Sequence, residues 1–271
     1  MAYDKILKVA GLKTHLLRQG KGEPVILLHG LGASSYSWRF ALPALSDRYE
    51  VFAPDLPGFG RSEKPRDFDY SLHGLHTWIL KFMDHFGLKS ARFVGNSMGG
   101  VLALWTAMEA PQRVERMALL GTPAYVENRP RVLWPLSWPV IGRLYEWALG
   151  ETVVRFISKS TFVDQSKVND ELVTEYGLAL RTAAGRRAMA QFVRCAIPSD
   201  HRERIKRYRD VRHPVLVLVG DHDHMVGRMG GERLVKDLPN ARFCFLDRCG
   251  HAPQEDAPER VNAELLLFLA A

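Results

Sequence analysis

The sequence predicts an α/β fold in which a mostly parallel sheet of eight strands is flanked by helices. Short apolar segments alternate along the chain with segments of helical periodicity, which is typical of parallel sheets covered by helices. The alternation is interrupted between residues 125 and 212, where helical patterns follow one another without a strand, so we expect an inserted helical cap. With 271 residues, 46% of them hydrophobic, the chain can bury a sizeable core.

Eight segments have the short apolar runs expected of strands. They span residues 5–9, 14–18, 24–28, 50–53, 91–94, 114–120, 214–219 and 242–246. We expect the first two to form an antiparallel start to the sheet. The other six are nearly continuous apolar runs, which is typical of strands that are buried on both faces of a parallel sheet.

Two helices of the sheet domain are predicted from apolar spacing and end signals. Residues 71–86 repeat apolar side chains at helical spacing and stop at Gly87, a residue type that commonly ends helices. That face carries Leu72, Leu75, Ile79, Phe82 and Phe86. The last helix begins near Pro258, because proline fits the first helical turn. Its buried face is expected to carry Val261, Leu265 and Phe268.

The interruption of the strand pattern predicts the domain boundaries. We expect residues 1–124 and 213–271 to form the sheet domain and residues 125–212 to form the cap. The cap starts with a segment that contains Trp134, Trp138 and Trp147. These side chains form either the core of the cap or the wall of a substrate pocket, and the sequence leaves both open.

Charge and composition argue against several other classes of protein. The net charge is +7, but the arginine-rich stretch 181–212 also contains acidic residues, so we interpret it as a solvated helical face. We expect no nucleic-acid partner, since no nucleic-acid module accompanies the basic charge. The longest charge-free stretch, residues 93–108, is shorter than the ~20 residues of a membrane-spanning helix. The first residues lack a secretion signal, so we expect a cytoplasmic protein.

We expect neither a metal ion nor a cofactor. Cys195, Cys244 and Cys249 are an odd number of cysteines without the paired spacing of a zinc site, so we interpret them as buried reduced thiols. A metal site at His222 and His224 is the alternative, but no third ligand has suitable spacing.

The strongest functional signal is a G-x-S-x-G motif at residues 95–99, with Ser97 at its centre. An apolar strand pattern leads into the motif and an apolar helical run follows it. In a tight strand-to-helix turn only small residues fit two positions from the serine, which explains Gly95 and Gly99. Such a turn strains the serine backbone and presents Oγ at the carboxyl end of the sheet, beside a helix N-terminus. The alternative is a purely structural glycine turn.

A serine hydroxyl becomes a good nucleophile when a base accepts its proton, so a histidine oriented by a carboxylate is needed. His251 follows the last predicted strand, and Asp221 and Asp223 follow the strand before it. These residues therefore lie at carboxyl ends of strands, on the rim predicted for Ser97, in the chain order Ser, Asp, His. From the residues alone, Asp221 and Asp223 cannot be separated as the acid.

Together with these residues, further motifs make the sequence resemble the α/β-hydrolase family of serine esterases, lipases and related hydrolases. The resemblance covers nearly the whole chain outside the cap and implies an α/β-hydrolase fold. Its motifs are His29-Gly30-Leu31-Gly32, residues 55–62, the turn around Ser97, Gly220 with Asp223 three residues on, and Gly250-His251.

The resemblance implies roles for particular residues. The family places the acid three residues after the glycine, which selects Asp223, and makes His251 the base. The backbone N–H groups of Leu31 and Met98 are implied to stabilise the negative charge of the tetrahedral intermediate, and His29 is implied to be structural. The serine nucleophile excludes the epoxide hydrolase and haloalkane dehalogenase branches of the family, which use aspartate at that position.

Substrate contacts are predicted at the rim and in the cap. We expect Gly30, Trp134, Trp138 and Val226 to contact a small-molecule substrate. This sequence departs from many relatives at one nearby position, because they carry proline where this chain has Gly227.

The expected activity is hydrolysis of carboxylic esters with apolar acyl or alcohol groups, through an acyl-enzyme on Ser97. The alternative is hydrolysis of a carbon–carbon bond in ring-cleavage dienoates, since the motif at 95–100 is common in those relatives too. Against it, those relatives usually carry aromatic and glutamine residues after the histidine, whereas Ala252-Pro253-Gln254 follow it here. A further alternative is a slow-turnover ligand receptor, which a turnover assay with a short-chain ester would distinguish from an enzyme. The last alternative is a protein with a dead site, and the intact set of Ser97, Asp223 and His251 argues against it.

Overall fold

The chain folds as an eight-stranded, mostly parallel sheet with helices on both faces and a helical insertion, as the sequence predicts. A computed structural model describes residues 3–125 and 149–271. The strands are β1 Tyr3–Val9, β2 Leu12–Gln19, β3 Pro24–Leu28, β4 Glu50–Pro54, β5 Ala91–Asn96, β6 Val114–Leu120, β7 Val215–Gly220 and β8 Ala241–Leu246. Their order across the sheet is β1-β2-β4-β3-β5-β6-β7-β8.

The strand directions agree with the predicted antiparallel start. β1 pairs with β2, and β2 pairs with β4, in antiparallel fashion, whereas the pairs from β4 onward are parallel. Each predicted strand overlaps an observed one. The expectation of full burial is wrong for β8, where most side chains are partly exposed. The reason is that β8 forms the edge of the sheet beside β7.

Helices cover both faces of the sheet and form the insertion. Within the described residues they are α1 Ala41–Ser46, α2 Leu72–His85, α3 Met98–Glu109, α4 Glu151–Thr161, α5 Asp170–Gly177, α6 Ala183–Cys195, α7 His201–Lys206, α8 Gly227–Asp237, α9 Pro253–Asp256 and α10 Pro258–Ala270. The two helices that the sequence predicts, at 71–86 and from Pro258, correspond to α2 and α10.

Helix α2 illustrates how local sequence determines an element. The Oγ of Ser71 accepts a hydrogen bond from a backbone N–H of the first turn at 3.2 Å and so caps the helix. Leu75, Ile79 and Phe82 of the predicted apolar face are at most 1% exposed. The chain leaves the helix through Gly87, whose φ of +68° lies in the left-handed region that glycine adopts without strain.

The sheet separates two apolar layers. Successive strand residues point to opposite faces, so Ile26 and Leu28 pack on the side of α2 and α3, whereas Val25 and Leu27 pack on the side of α1 and α10. The predicted face of α10 is buried at Val261, Leu265 and Phe268. Burial on both faces explains why these strands are nearly continuous apolar runs.

The insertion lies between β6 and β7. Its described part contains helices α4 to α7. Trp134, Trp138 and Trp147 lie outside the described residues, so the prediction that they line a pocket or a core stays a prediction. The exact boundaries at residues 125 and 212 also stay a prediction. No helix in the described part of the chain is long and apolar enough to cross a membrane.

Candidate active site

Ser97 lies in the tight turn between β5 and α3, at the carboxyl end of the sheet. Its backbone has φ +53° and ψ −118°, a conformation that costs energy for a residue with a Cβ. A Cβ at Gly95 would lie 2.4 Å from the backbone of Gly99, and a Cβ at Gly99 would lie 2.0 Å from the carbonyl oxygen of Leu28. The turn therefore needs both glycines of the motif.

Three side chains from three strand ends meet at this turn. The Oγ of Ser97 lies 2.9 Å from Nε2 of His251, which follows β8. The Nδ1 of the same ring lies 2.9 Å from Oδ2 of Asp223, which follows β7. Asp223 is 2% exposed and His251 is 8% exposed. Serine, histidine and carboxylate thus form a hydrogen-bonded triad, an arrangement that can activate the serine hydroxyl.

The environment of Asp223 keeps its carboxylate ionised. Its Oδ1 accepts hydrogen bonds from the N–H groups of Met225 at 2.9 Å and Val226 at 3.0 Å. Burial alone would raise the pKa of Asp223, but His251 and these two N–H groups hold it below its ordinary value. A negative charge beside Nδ1 favours the tautomer in which Nδ1 carries the proton and Nε2 faces Ser97 as an acceptor.

Asp221, the other candidate acid, does not face His251. Its Oδ1 accepts a hydrogen bond from the N–H of Cys249 at 3.0 Å and lies 2.6 Å from Nδ1 of His222. Burial opposes ionisation, but the Cys249 N–H and the His222 ring lower the pKa of Asp221 to about 2. The structure therefore brings Asp223, rather than Asp221, to the histidine.

The backbone of His251 is held from both sides by residues that the sequence analysis did not identify. Its carbonyl oxygen accepts a hydrogen bond from Nδ2 of Asn96 at 3.0 Å, and its N–H donates to the carbonyl oxygen of Thr161 at 2.8 Å. Gly121 has φ +50°, and a Cβ there would lie 2.7 Å from the same carbonyl oxygen of His251. Asn96 was visible in the sequence as a polar residue at the end of a buried strand; Thr161 carries no such signal.

The loop after β3 lies beside the serine. A Cβ at Gly30 would lie 3.3 Å from Cβ of Ser97, so this loop approaches the position where a substrate carbonyl would react. Leu31 follows Gly30, and Met98 begins α3 directly after the serine. The role of the Leu31 and Met98 N–H groups toward an oxyanion stays a prediction.

His29 supports this loop as a neutral ring. Its Nε2 accepts a hydrogen bond from the N–H of Leu56 at 3.0 Å, so the proton resides on Nδ1, which donates to the carbonyl oxygen of Gly30 at 2.8 Å. Burial lowers the pKa of His29, which agrees with the neutral form. The ring thereby connects the loop after β3 to the loop after β4.

Asp55 organises the loop after β4. It is fully buried and accepts hydrogen bonds from the N–H groups of Ser35 at 2.6 Å and Arg61 at 2.7 Å, with His15 Nδ1 at 3.0 Å. A Cβ at Gly60 would lie 2.1 Å from Oδ2 of Asp55, so the glycine permits this close approach. The motif at residues 55–62 is therefore structural and fixes two loops at the rim.

Two residues beside Asp223 bear on the predicted substrate contacts. The side chain of Val226 is 8% exposed, and its backbone N–H is bound to Asp223, so its contact with a substrate stays a prediction, as does that of Gly30. Gly227 has φ +64° and begins α8. Proline cannot adopt this φ, so the backbone of this chain does not admit the proline that the resemblance implies at this position.

The sequence predicts no metal site among the cysteines and the histidines other than His251. Within residues 3–125 and 149–271, no three His, Cys, Asp or Glu side chains converge in the way metal ligands do. The expectation that all three cysteines are buried is wrong for Cys195, which is exposed at the end of α6, and for Cys244, which is half-buried on the edge strand β8. Cys249 is buried, and burial raises the pKa of its thiol to about 12.

Comparison with known proteins identifies the family. The model of the alpha/beta hydrolase fold family matches residues 23–258. An uncharacterised hydrolase of Bacillus subtilis, YugF, is 30% identical over 250 residues, which cover 91% of this chain and 90% of that protein. A 2-hydroxymuconate semialdehyde hydrolase of Pseudomonas putida is 31% identical over 270 residues, which cover 96% of this chain and 92% of that protein.

Solved structures agree with this assignment. The 2-hydroxy-6-oxo-6-phenylhexa-2,4-dienoate hydrolase of Rhodococcus sp. strain RHA1 superposes with a TM-score of 0.81 at 28% identity, covering 100% of this chain and 99% of that one. The epoxide hydrolase CorEH superposes with a TM-score of 0.88 at 22% identity, covering 100% of this chain and 99% of that one, which is a likeness of fold alone.

Proposed function

This chain is a serine hydrolase of the α/β-hydrolase family, and we propose that it hydrolyses a carbon–carbon bond beside a carbonyl group in ring-cleavage dienoates. The sequence alone favoured carboxylic esters and held dienoates as the alternative. The similarity to a 2-hydroxymuconate semialdehyde hydrolase, 31% identical across 96% of this chain, is the observation that reverses this order. The net charge of +7 is compatible with an anionic substrate.

The proposed reaction begins with Ser97. Its Oγ attacks the carbonyl carbon of the substrate while Nε2 of His251 accepts the hydroxyl proton, and Asp223 stabilises the imidazolium that forms. The N–H groups of Leu31 and Met98 donate to the oxyanion.

The second half of the reaction breaks the carbon–carbon bond. The bond breaks in the 2-oxo tautomer of the substrate, in which the proton of the 2-hydroxyl group has moved to the carbon of the scissile bond. That carbon takes the bonding electrons, which spread through the neighbouring C=C bond onto the 2-oxo oxygen, and the dienolate that forms receives a proton from His251. An acyl group then remains on Ser97. Water, deprotonated by His251, attacks this acyl group, and Ser97 Oγ leaves with the proton that His251 returns to it, which releases a carboxylic acid. Delocalisation of the leaving electrons is what makes a carbon leaving group feasible, so the substrate must be conjugated.

Ester hydrolysis is the second candidate because one local feature favours it. Ala252 follows His251, where dienoate hydrolases usually carry an aromatic residue. The same serine, histidine and aspartate can cleave an ester without a conjugated leaving group.

A direct comparison of substrates tests the proposal. Purified protein is assayed with a 2-hydroxy-6-oxo-dienoate and with a series of acyl esters of increasing length, beside a Ser97→Ala control. We expect kcat/KM for the dienoate to exceed that for every ester by about tenfold or more, and the control to turn over neither. A higher kcat/KM for an ester would replace the proposed function by ester hydrolysis. A single stoichiometric acylation without turnover would favour the receptor alternative.

A further inference from the structure

We propose that Asp256 is a positioning residue for His251, because it fastens the loop carrying the histidine to the helical insertion. The base loop is defined here as residues 250–256, and the hinge segment as residues 161–167, which begin at the end of α4. The inference rests on the proposed function, since it assumes that His251 acts as the base toward Ser97.

The carboxylate of Asp256 gathers backbone donors from both segments. Its Oδ2 accepts hydrogen bonds from the N–H of Gly250 at 2.7 Å and from the N–H of Val163 at 2.9 Å. Its Oδ1 accepts from the N–H of Asp164 at 3.2 Å. The residue is 8% exposed, so water competes little for these bonds. The side chain of Asp256, at the end of the base loop, therefore binds both the residue immediately before the catalytic histidine and the hinge segment.

Further bonds between the same two segments surround this carboxylate. The N–H of His251 donates to the carbonyl oxygen of Thr161 at 2.8 Å. A Cβ at Gly250 would lie 2.1 Å from that oxygen, so only glycine permits the approach. The Nζ of Lys167 donates to the carbonyl oxygens of Glu255 at 3.1 Å and Asp256 at 2.6 Å.

The neighbouring acid has a different task. Glu255 is fully buried and bonds to the side chains of Arg39, in the loop before α1, and Tyr176, on α5. Its carboxylate anchors the short helix α9 through these two side chains, whereas the carboxylate of Asp256 accepts from the N–H of Gly250. Asp256 is thus the acid of α9 whose bonds reach the residue before the histidine.

Loss of the Asp256 charge should misplace the imidazole. An asparagine offers one acceptor oxygen, and its NH2 group would face a backbone donor in place of the second acceptor. At least one of the three bonds is then lost, and the base loop moves away from the hinge segment. The ring depends on that backbone to keep Nε2 2.9 Å from Ser97 Oγ. Because a displacement of about 1 Å can cost about 10²-fold in rate, the effect should appear in the chemical step.

The test uses a fluorophosphonate probe that reports on Ser97 whatever the natural substrate is. Its phosphorus bonds to Ser97 Oγ, fluoride leaves, and His251 accepts the hydroxyl proton. For Asp256→Asn we expect the rate constant of phosphonylation and kcat each to fall about 10²-fold, with KM changed by less than about twofold. Asp170→Asn is the matched control, since it makes the same chemical change in the insertion at an exposed ion pair with Arg155, and its rates should equal those of the wild type.

Other outcomes overturn the inference. A lower melting temperature with an unchanged phosphonylation rate would mean that Asp256 is merely structural. If Asp256→Asn does not fold, Lys167→Met removes the ammonium group from the same junction and should lower the phosphonylation rate in the same direction, so an unchanged rate would refute the positioning role. A wild-type protein that does not react with the probe would overturn the proposed function itself, and this inference with it.

Discussion

Replacing Asp223 by asparagine exchanges one carboxylate oxygen for an NH2 group at a position where both oxygens have defined partners. Oδ1 accepts from two backbone N–H groups, and Oδ2 faces Nδ1 of His251 at 2.9 Å. The amide must turn its oxygen toward the two N–H donors, because its NH2 group cannot accept their hydrogens. The NH2 group then donates to Nδ1 of His251, which forces the proton of the imidazole onto Nε2.

This tautomer cannot serve as the base, because an Nε2 that carries a proton donates to Ser97 Oγ instead of accepting from it. A carboxylate-to-amide change of this kind costs about 10⁴-fold in rate, or about 5 kcal/mol of transition-state stabilisation. We therefore expect Asp223→Asn to fold, to melt near the wild-type temperature, and to lose about 10⁴-fold in kcat/KM.

The assay is kcat/KM for the best substrate, together with the phosphonylation rate of Ser97. Asp221→Asn is the matched control, since its carboxylate binds Cys249 and His222 rather than His251. It should retain activity within about tenfold of the wild type. An Asp223→Asn variant within tenfold of the wild type, or an inactive Asp221→Asn variant, would refute the assignment of the acid.

Three further predictions concern the turn, the acid stability and the cap. Ser97→Gly should be inactive yet more stable than Ser97→Ala by about 1 kcal/mol in chemical denaturation, because glycine tolerates φ +53°. Burial opposes ionisation of Asp55, but His15 and backbone donors lower its pKa from 3.8 to about 2, so the stability it contributes is present above 3.8 and lost as the pH falls toward 2. Asp55→Asn should be less stable at neutral pH, with a flatter decline across that window in thermal melts. Trp134→Ala or Trp138→Ala should weaken the binding of short acyl groups by roughly 25 cal/mol per Å² of apolar contact removed. The space that the change opens should favour longer acyl groups in the substrate series.

Each of these has a result that would count against it. Equal stability of the Ser97 glycine and alanine variants would mean that the turn is not strained. If the stability of Asp55→Asn falls as steeply with decreasing pH as that of the wild type, other carboxylates cause the loss of stability in acid. Lower melting temperatures with an unchanged length profile would place Trp134 and Trp138 in the core of the cap.

Local sequence patterns predicted the eight strands and the helices at 71–86 and from Pro258. Strands buried on both faces must be apolar throughout, and an amphipathic helix must repeat its apolar residues at helical spacing, so both leave local patterns. The turn at Ser97 likewise leaves a local trace, since Gly95 and Gly99 are required by contacts within a few residues or with the adjoining strand. The partial exposure of β8 left no such trace, because an edge position is decided by which strands pair.

The pairing of polar groups at the site depends on the folded path of the chain. Asp221 and Asp223 lie two residues apart, and only the path of the chain after β7 turns one toward His251 and the other toward Cys249. Asn96 bonds to the backbone of His251 and Asp256 bonds to the backbone of Val163, so both contacts join segments that are far apart in the chain. A hydrogen bond depends on distance and direction in space, which residue type and spacing do not encode. These hydrogen-bond partners could therefore be identified only from the three-dimensional structure.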